Sequence, residues 1–350
     1  MSKIKSSDRS KKILPQILRL VFFLALGFFF IWLFLRNLSP EEKGEIIEHL
    51  KGANYFWILF SILFGFISNM SRSSRWKLML NTMGYNPKYK NVFMSVFIAY
   101  FANLAIPRLG EVSRCLPLAK YEKIPFEKSF GTVVTERALD LVVFLIIFAL
   151  NVILQFEKLW GYMQNKVFVP IEEKLSTLGT GINILILSMV FLVGIGILVF
   201  IMKNKSSKLI AKIRETIKGF ADGLKSIIYI KKPVLFILHT LNIWFMYFLM
   251  TLIVFRCLPA TANLGPDAAL SVLMLGSIGI MLVQGGIGLY PLIVAEALTL
   301  YGIASTTGYA MGWLLWSGQT AMVIIAGLVS LILLPLLNKN KNGETADIAQ

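Results

Sequence analysis

Apolar residues along the chain are grouped into long runs that short polar segments separate. A run of about 17–25 apolar residues is long enough to cross the hydrocarbon core of a bilayer as one helix. The pattern therefore predicts an all-α, polytopic transmembrane helix bundle. The predicted spans are residues 17–36, 54–71, 138–156, 180–202, 233–256 and 308–337.

Two further apolar regions, 91–118 and 266–304, are interrupted by glycine, proline and charged residues. Lysine and arginine gather in segments 71–90 and 203–232, and the positive-inside rule places both segments in the cytoplasm with the basic N-terminus. Region 91–118 then has to begin and end in the cytoplasm, and region 266–304 has to begin and end outside. Each region is either a re-entrant hairpin or a pair of ordinary short helices. Two inverted, interrupted helical hairpins are typical of transporters, whose substrate sites lie at helix breaks.

The chain divides into a basic cytoplasmic N-terminus (1–16), a transmembrane domain (17–337) and a polar C-terminal tail (338–350), which is also expected in the cytoplasm. Within the transmembrane domain, residues 203–232 carry apolar side chains at every third or fourth position, with lysines between them. This spacing predicts an amphipathic helix with a basic face. It either lies on the inner leaflet, attracted by anionic lipid, or packs on the bundle as a linker.

Composition supports the same class of protein. Hydrophobic residues make up 56% of the 350 residues and charged residues only 15%, whereas soluble domains contain about 25% charged residues. The formal net charge is +16, and the basic residues lie beside the spans. The charge therefore indicates a membrane surface as the partner, and no nucleic acid.

Residue types that commonly hold metals or cofactors are scarce and scattered. The two histidines, His49 and His239, are far apart in the sequence. Cys115 and Cys257 are expected on opposite sides of the membrane, so they are not expected to pair. No phosphate-binding loop, nucleophile triad or polar stretch long enough for a soluble catalytic domain is recognisable. We therefore expect neither a cofactor nor a metal site, and a protein that is not an enzyme.

Charged residues recur at a spacing of three beside the apolar runs. Arg72 and Arg75 follow the second span, and Arg137 and Asp140 open the third. A further set begins after Pro107, which suits the first turn of a helix. Ionisable residues at membrane depth are candidates for function. The whole set is Arg72, Arg75, Arg108, Glu111, Arg114, Glu136, Arg137 and Asp140.

These residues allow two interpretations. Six of them can form a closed salt-bridge network that serves only the fold, namely Arg108, Arg114 and Arg137 with Glu111, Glu136 and Asp140. Arg72 and Arg75 then add two positive charges, which is the sign needed to receive a phosphate. Arginine matches phosphate oxygens with two parallel N–H groups, whereas lysine acts as a point charge. The cluster is thus either structural or a cytoplasm-facing pocket for a phospholipid headgroup.

The second interrupted region carries a different signal. Gly285, Gly286 and Gly288 lie close to Pro291, a combination that breaks helices and allows close backbone approach. Glu296 follows in an apolar stretch, so we expect a buried carboxylate that is protonated, meets an arginine of the first cluster or meets a cationic group of the substrate. The glycines and Glu296 join the predicted substrate-binding residues, and helix packing is the alternative for the glycines.

Four stretches together carry a resemblance to a known family. They are "SRSSRWKLML", "IPRLGEVSRCLPLAK", "TERALDLVV" and "GGIGLYPLIVAEALTLYG". In this order and at these separations they resemble the membrane domain of the lysylphosphatidylglycerol synthase/flippase family. This domain is the transmembrane half of the bacterial multiple-peptide-resistance factor. It also occurs by itself in stand-alone, UPF0104-like relatives. The similarity covers roughly residues 15–337.

The resemblance implies a multi-pass protein of the bacterial inner membrane that moves a phospholipid or a lipid-linked headgroup between leaflets. By position, the polar motifs of the family fall on the charged residues named above between 108 and 140 and on Glu296. The soluble aminoacyl-transferring domain of the synthases is missing from this sequence, so synthase activity is not expected.

Three hypotheses follow. The leading one is a lipid flippase-like transporter that binds a headgroup at the arginines and releases it past Glu296. The second is a membrane-embedded lipid-modifying transferase that uses Glu111 or Asp140 as a general base. The third is a scaffold in which the charges only hold the bundle together.

Overall fold

The computed structural model describes residues 21–106, 109–173 and 230–339, apart from residues 23 and 171, together with Met189. Within these ranges the chain folds into helices that turns and short loops connect, and it contains no strand. This confirms the all-α prediction. The predicted span at 180–202, apart from Met189, and residues 203–229 of the predicted amphipathic segment lie outside the described residues.

The chain forms two compact units, one from Met1–Arg137 with Tyr229–Gln350 and one from Ala138–Ile228. The second unit contains the later part of one long helix, a short helix at Phe156–Met163 and a π-helical turn at Gln164–Phe168. The two interrupted regions, Arg72, Arg75, Arg114 and Glu136 belong to the first unit.

Four of the described helices are long and apolar enough to cross a bilayer, so the chain is a multi-pass membrane protein. They are α3 (Tyr55–Thr82), α6 (Phe126–Leu154), α8 (Pro233–Val254, extended by a 3-10 turn to Cys257) and α11 (Ser305–Leu336). The other described helices are shorter. They are α1 (Leu24–Leu35), α2 (Pro40–Gly52), α4 (Tyr89–Ala105), α5 (Leu109–Glu122), α7 (Phe156–Met163), α9 (Pro266–Leu282) and α10 (Leu289–Thr299).

Helix α2 shows how local sequence sets a boundary. The Ser39 hydroxyl accepts from the Glu42 amide at 3.2 Å, and the Glu42 carboxylate accepts from the Ser39 amide at 2.7 Å. This reciprocal capping box satisfies two backbone donors, and Pro40 occupies the first helical position, where no amide hydrogen is needed. The acidic segment between the first two spans is therefore a helix with a fixed start.

Two span boundaries predicted from the sequence are wrong. The helix expected at 54–71 continues to Thr82, and the helix expected at 138–156 begins at Phe126. Arg72 and Glu136 consequently lie inside helices, each about 15 Å from the nearest helix end at 1.5 Å per residue. The charged residues at the predicted ends of these spans therefore lie within continuous helices.

Both interrupted regions are helical hairpins, and they open toward opposite ends of α11. Hairpin I consists of α4 and α5, and hairpin II of α9 and α10. Asn91 at the start of α4 exchanges amide hydrogen bonds of 2.9 and 3.1 Å with Asn338, just past the end of α11. The hydroxyl of Tyr301, which follows α10, donates to the Asp267 carbonyl at 3.0 Å and so joins the two open ends of hairpin II. Near them, Thr307 at the start of α11 bonds to His49 at 3.0 Å.

The tips of the two hairpins meet beside α11. Leu104 of hairpin I lies 3.6 Å from the position that a Cβ would take at Gly285 in hairpin II. The indole nitrogen of Trp316 in α11 donates to the Gly285 carbonyl at 2.6 Å. Gly285 and Gly286 have φ values of 65° and 73°, which glycine adopts at little cost. The glycine cluster therefore makes the helix break, as predicted, and lets the second tip reach the first.

Helix α11 packs on both hairpins through glycines. A Cβ at Gly312 would lie 2.5 Å from the Cα atom of Pro291 in α10, and one at Gly327 would lie 2.4 Å from the Phe101 Cβ atom in α4. Small residues permit such close packing in membranes, where dispersion contacts replace the hydrophobic effect between helices. On the outer faces, side chains such as Ile325 and Ile332 are exposed, as suits contact with acyl chains.

Substituting Gly312→Ala should destabilise the bundle, because the new methyl group meets backbone atoms of Pro291 that cannot rotate away. The expected loss in free energy of unfolding is about 1–3 kcal/mol. Thermal unfolding of the detergent-purified protein measures it. Gly131→Ala is the matched control, since nothing lies within 4 Å of its Cβ position. Equal melting temperatures for the two variants would contradict the close packing of α10 on α11.

Candidate functional site

One buried carboxylate, that of Glu136, is shared by three buried arginines. Its Oε1 atom lies 3.0 Å from Arg72 Nη1 and 3.4 Å from Arg75 Nη2, and its Oε2 atom lies 2.9 Å from Arg114 Nη2. Each of the four side chains is at most 5% exposed. We call these four side chains the arginine cluster.

Helical spacing and aromatic neighbours position the arginine cluster. Arg72 and Arg75 are three residues apart on α3 and so share one face. The Arg114 guanidinium lies 3.8 Å from the centre of the Trp76 ring, a cation–π contact. The Trp76 indole nitrogen in turn donates to Thr132 Oγ1 on α6 at 2.9 Å. The Trp76 side chain is fully buried.

A second contact joins hairpin I to α6 at the border of the arginine cluster. Arg137 Nε lies 3.8 Å from Glu111 Oε1, and the two side chains are 38% and 25% exposed. Exposed pairs of this kind contribute about 0–1 kcal/mol to stability. The structure therefore separates the predicted charges into a tightly packed group around Glu136 and a looser pair beside it.

The structure describes the remaining predicted site residues except one. Arg108 is outside the described residues. Asp140 is one turn beyond Glu136 on α6, within the second unit. Glu296 is exposed near the end of α10, so the expectation of a buried carboxylate is wrong. An apolar sequence around a carboxylate does not show its depth, and α10 ends only three residues later, at Thr299.

A cavity of about 250 Å³ lies beside the arginine cluster, between α3, α8 and hairpin II. Arg72 and Arg137 line it on one side. None of its uncharged polar lining residues is among the site residues predicted from the sequence. A polar residue inside an apolar span is the signal that could have found several of them. The uncharged polar lining residues are Ser61, Tyr100, Tyr247, Thr251, Ser277, Tyr290 and Gln319.

The cavity has an exposed side at mid-depth. Three of its lining residues, Ile280, Met281 and Gln319, are exposed. Gln319 is 14 residues into α11 and Met281 is 15 residues into α9, about 21–23 Å along each helix. This side of the cavity thus faces the level at which acyl chains lie in a bilayer.

The arginine cluster and its neighbours carry an excess of positive charge. Together with Arg137 and Glu111, the arginine cluster contains four arginines and two glutamates, which leaves an excess of two positive charges. Among the described residues, no group of three His, Cys, Asp or Glu side chains lies close enough to hold a metal ion. The site therefore offers guanidinium groups, hydroxyls and an amide to a ligand.

The chain is similar to known membrane proteins. The family model described as "Lysylphosphatidylglycerol synthase TM region" matches residues 16–336. A UPF0104 membrane protein from Methanocaldococcus jannaschii is 29% identical over 194 residues, which cover 54% of this chain and 51% of that protein. A UPF0104 membrane protein from Methanothermobacter thermautotrophicus is 26% identical over 113 residues, or 32% of each chain. The chain thus matches about half the length of these relatives or less, and no solved structure matches it.

The substitution Glu136→Gln should strongly destabilise the protein, because it leaves three buried guanidinium groups without the carboxylate that they share. Breaking a buried ion pair in this way costs about 3–5 kcal/mol. Folded yield and thermal unfolding in detergent measure the effect. Glu111→Gln is the matched control, with an expected loss of at most about 1 kcal/mol. Similar melting temperatures for the two variants would show that Glu136 does not hold α3, α5 and α6 together.

Proposed function

Because the chain belongs to the family of the lysylphosphatidylglycerol synthase TM region, we propose that it is a lipid flippase-like transporter. In this proposal it moves a phospholipid or a lipid-linked headgroup between the two leaflets. The observation that carries the proposal is the cavity with Arg72 and Arg137 in its wall, next to an arginine cluster that contains more arginines than acids.

The charge of the site supports a phosphate as the group that is bound. Guanidinium groups offer parallel N–H donors that match phosphate oxygens, and such charge-assisted bonds are stronger than neutral ones. Charged groups at membrane depth are costly unless they are paired or functional. A phosphate in the cavity would offset part of the excess positive charge.

The backbone plan supports movement across the membrane. Transporters of several folds bind substrate near the midplane, where inverted and interrupted helices meet. Here hairpins I and II open toward opposite ends of α11, and their tips touch at Leu104 and Gly285. Rocking of one hairpin against the other would expose the cavity alternately to the two leaflets.

The exposed apolar side of the cavity supports a lipid as the substrate. Ile280 and Met281 flank the cavity and face the acyl chains at mid-depth. A headgroup would occupy the polar interior while its acyl chains stay in the bilayer beside these two residues. Release past Glu296 remains part of the proposal, since its exposed position near the open end of hairpin II lies on the way out.

We place the open end of hairpin I in the cytoplasm, together with both termini, in the inner membrane of a bacterial cell. Single-cysteine labelling of intact cells with a membrane-impermeant maleimide tests this orientation. Lys51→Cys, at the end of α2, should be labelled, and Lys88→Cys, at the start of α4, should react only after permeabilisation. The native Cys115 and Cys257 are buried and should stay unlabelled. If Lys88→Cys is labelled in intact cells and Lys51→Cys is not, the orientation is the opposite of the proposed one. The headgroup would then enter the cavity from the other side of the membrane.

Transport itself is tested in proteoliposomes with fluorescent phosphatidylglycerol and with phosphatidylcholine as a neutral control. Arg137→Gln should slow translocation of phosphatidylglycerol by about tenfold or more, since a hydrogen bond to a charged group contributes about 1.5–3 kcal/mol. Arg137 is suited to the test because it is 38% exposed, so its loss should leave the fold intact.

Lys128→Gln is the matched control for this experiment. It removes one positive charge from the same helix at an exposed position outside the cavity, so its transport rate should equal that of the wild type. Equal rates for wild type and Arg137→Gln would overturn the proposed pathway. A covalently altered lipid in the vesicles, with no net movement, would instead favour the transferase hypothesis.

A further inference from the structure

The cavity wall combines cations and neutral polar groups, and no acid. Its charged members are Arg72 and Arg137, and none of the described lining residues is aspartate or glutamate. Glu136 is the carboxylate of the arginine cluster, and three guanidinium groups already share it. We infer that the cavity selects an anionic headgroup whose other polar groups are uncharged, such as a phosphate that carries glycerol or another small polyol, and rejects an aminoacylated headgroup. This inference rests on the proposed function and specifies its substrate.

Electrostatics disfavours a headgroup that carries ammonium groups. An aminoacyl group would bring positive charge into a cavity that already contains Arg72 and Arg137, and like charges placed together weaken binding. Aromatic rings can replace a carboxylate as a partner for a cation. However, the Tyr100 ring already faces the Arg72 guanidinium at 5.9 Å. A cationic headgroup would therefore compete with an arginine that is fixed in the fold.

The hydroxyl groups of the wall suit a polyol. Ser61, Thr251 and Ser277 each donate to a carbonyl of their own helix, at 2.7, 3.2 and 2.6 Å. Each hydroxyl oxygen keeps acceptor capacity that a headgroup hydroxyl can use. Gln319 adds an amide that both donates and accepts. These groups can recognise glycerol or sugar hydroxyls without any net charge.

The size of the cavity restricts the bound part of the lipid. Its volume of about 250 Å³ is slightly below the roughly 300–1,000 Å³ of sites that enclose drug-sized ligands. The cavity therefore encloses a headgroup but not the acyl chains. A bulky addition to the headgroup, such as an amino acid, would also have to fit into this limited space.

Direct binding tests the inference separately from transport. Detergent-purified protein is titrated with phosphatidylglycerol, lysyl-phosphatidylglycerol and phosphatidylcholine, and bound lipid is counted by native mass spectrometry. The wild type should bind phosphatidylglycerol about tenfold or more tightly than the lysylated form. Phosphatidylcholine, which carries a quaternary ammonium, should also bind weakly. Lysyl-phosphatidylglycerol binding as tight as that of phosphatidylglycerol would overturn the inference.

The variant Gln319→Glu places a carboxylate in the wall with almost no change in shape. It should weaken phosphatidylglycerol binding and strengthen binding of the lysylated lipid, so that the selectivity ratio falls by about tenfold. Gln319→Met is the matched control, because it removes the amide without adding charge and should therefore lower the ratio much less than Gln319→Glu does. An unchanged ratio in a folded Gln319→Glu protein would contradict the assignment, and the wild-type titration decides the matter if that variant does not fold.

The two proposals fail in different ways. If proteoliposomes move lysyl-phosphatidylglycerol in preference to phosphatidylglycerol, the protein is a transporter and the inferred selectivity is wrong. If purified protein binds phosphatidylglycerol selectively and moves no lipid, the selectivity stands and the transporter proposal is wrong.

Discussion

The carboxylate of Glu136 ties α3, α5 and α6 together, because guanidinium groups from α3 and α5 lie within 3.4 Å of it. Charged groups lose much of their hydration at this depth, and only close pairing with good geometry offsets that loss. The three helices consequently cannot separate without leaving charge unmatched in an apolar surrounding. Hairpin I is held against the long helices by this contact and by a buried apolar cluster that includes Trp76, Val96 and Leu118.

A second constraint acts from the other side of the molecule. Helix α11 approaches both hairpins closely at Gly312 and Gly327, and Trp316 between them bonds to the Gly285 carbonyl. Close packing at these points fixes hairpin II at the depth where its tip meets hairpin I. The cavity is the space that remains between the ion pairs of Glu136 and the close packing of α11 on hairpin II.

The apolar pattern predicted the positions of several long helices. The predicted 233–256 and 308–337 agree closely with α8 and α11, whose ends are marked by proline or polar residues. The same method ended a span at position 71 and began another at 138, since it treated arginine and glutamate as signs of a loop. Buried charges are stable inside a helix when partners come from other helices, and a pattern within one segment does not contain that information.

The site shows the same division between local and tertiary information. Helical spacing correctly grouped Arg72 with Arg75, because three residues make almost one turn. Nothing in the sequence distinguishes Glu136, which three arginines share, from Asp140 one turn later. Likewise, Gln319 is ordinary in sequence and becomes notable only because the fold places it in the cavity wall. Spacing finds residues that one helix brings together, whereas tertiary packing decides which helices meet.

The arrangement around Glu136 also bears on how a transporter could release what it binds. Arg72 contacts Glu136 at 3.0 Å and also lines the cavity, so a phosphate would share this guanidinium with an internal carboxylate. A site for transport has to bind strongly enough for entry and weakly enough for departure. An arginine free of internal acids would hold phosphate more tightly and would slow its departure. In the proposed cycle, Glu136 therefore does more than hold the helices together, because it competes for the arginine when the headgroup leaves.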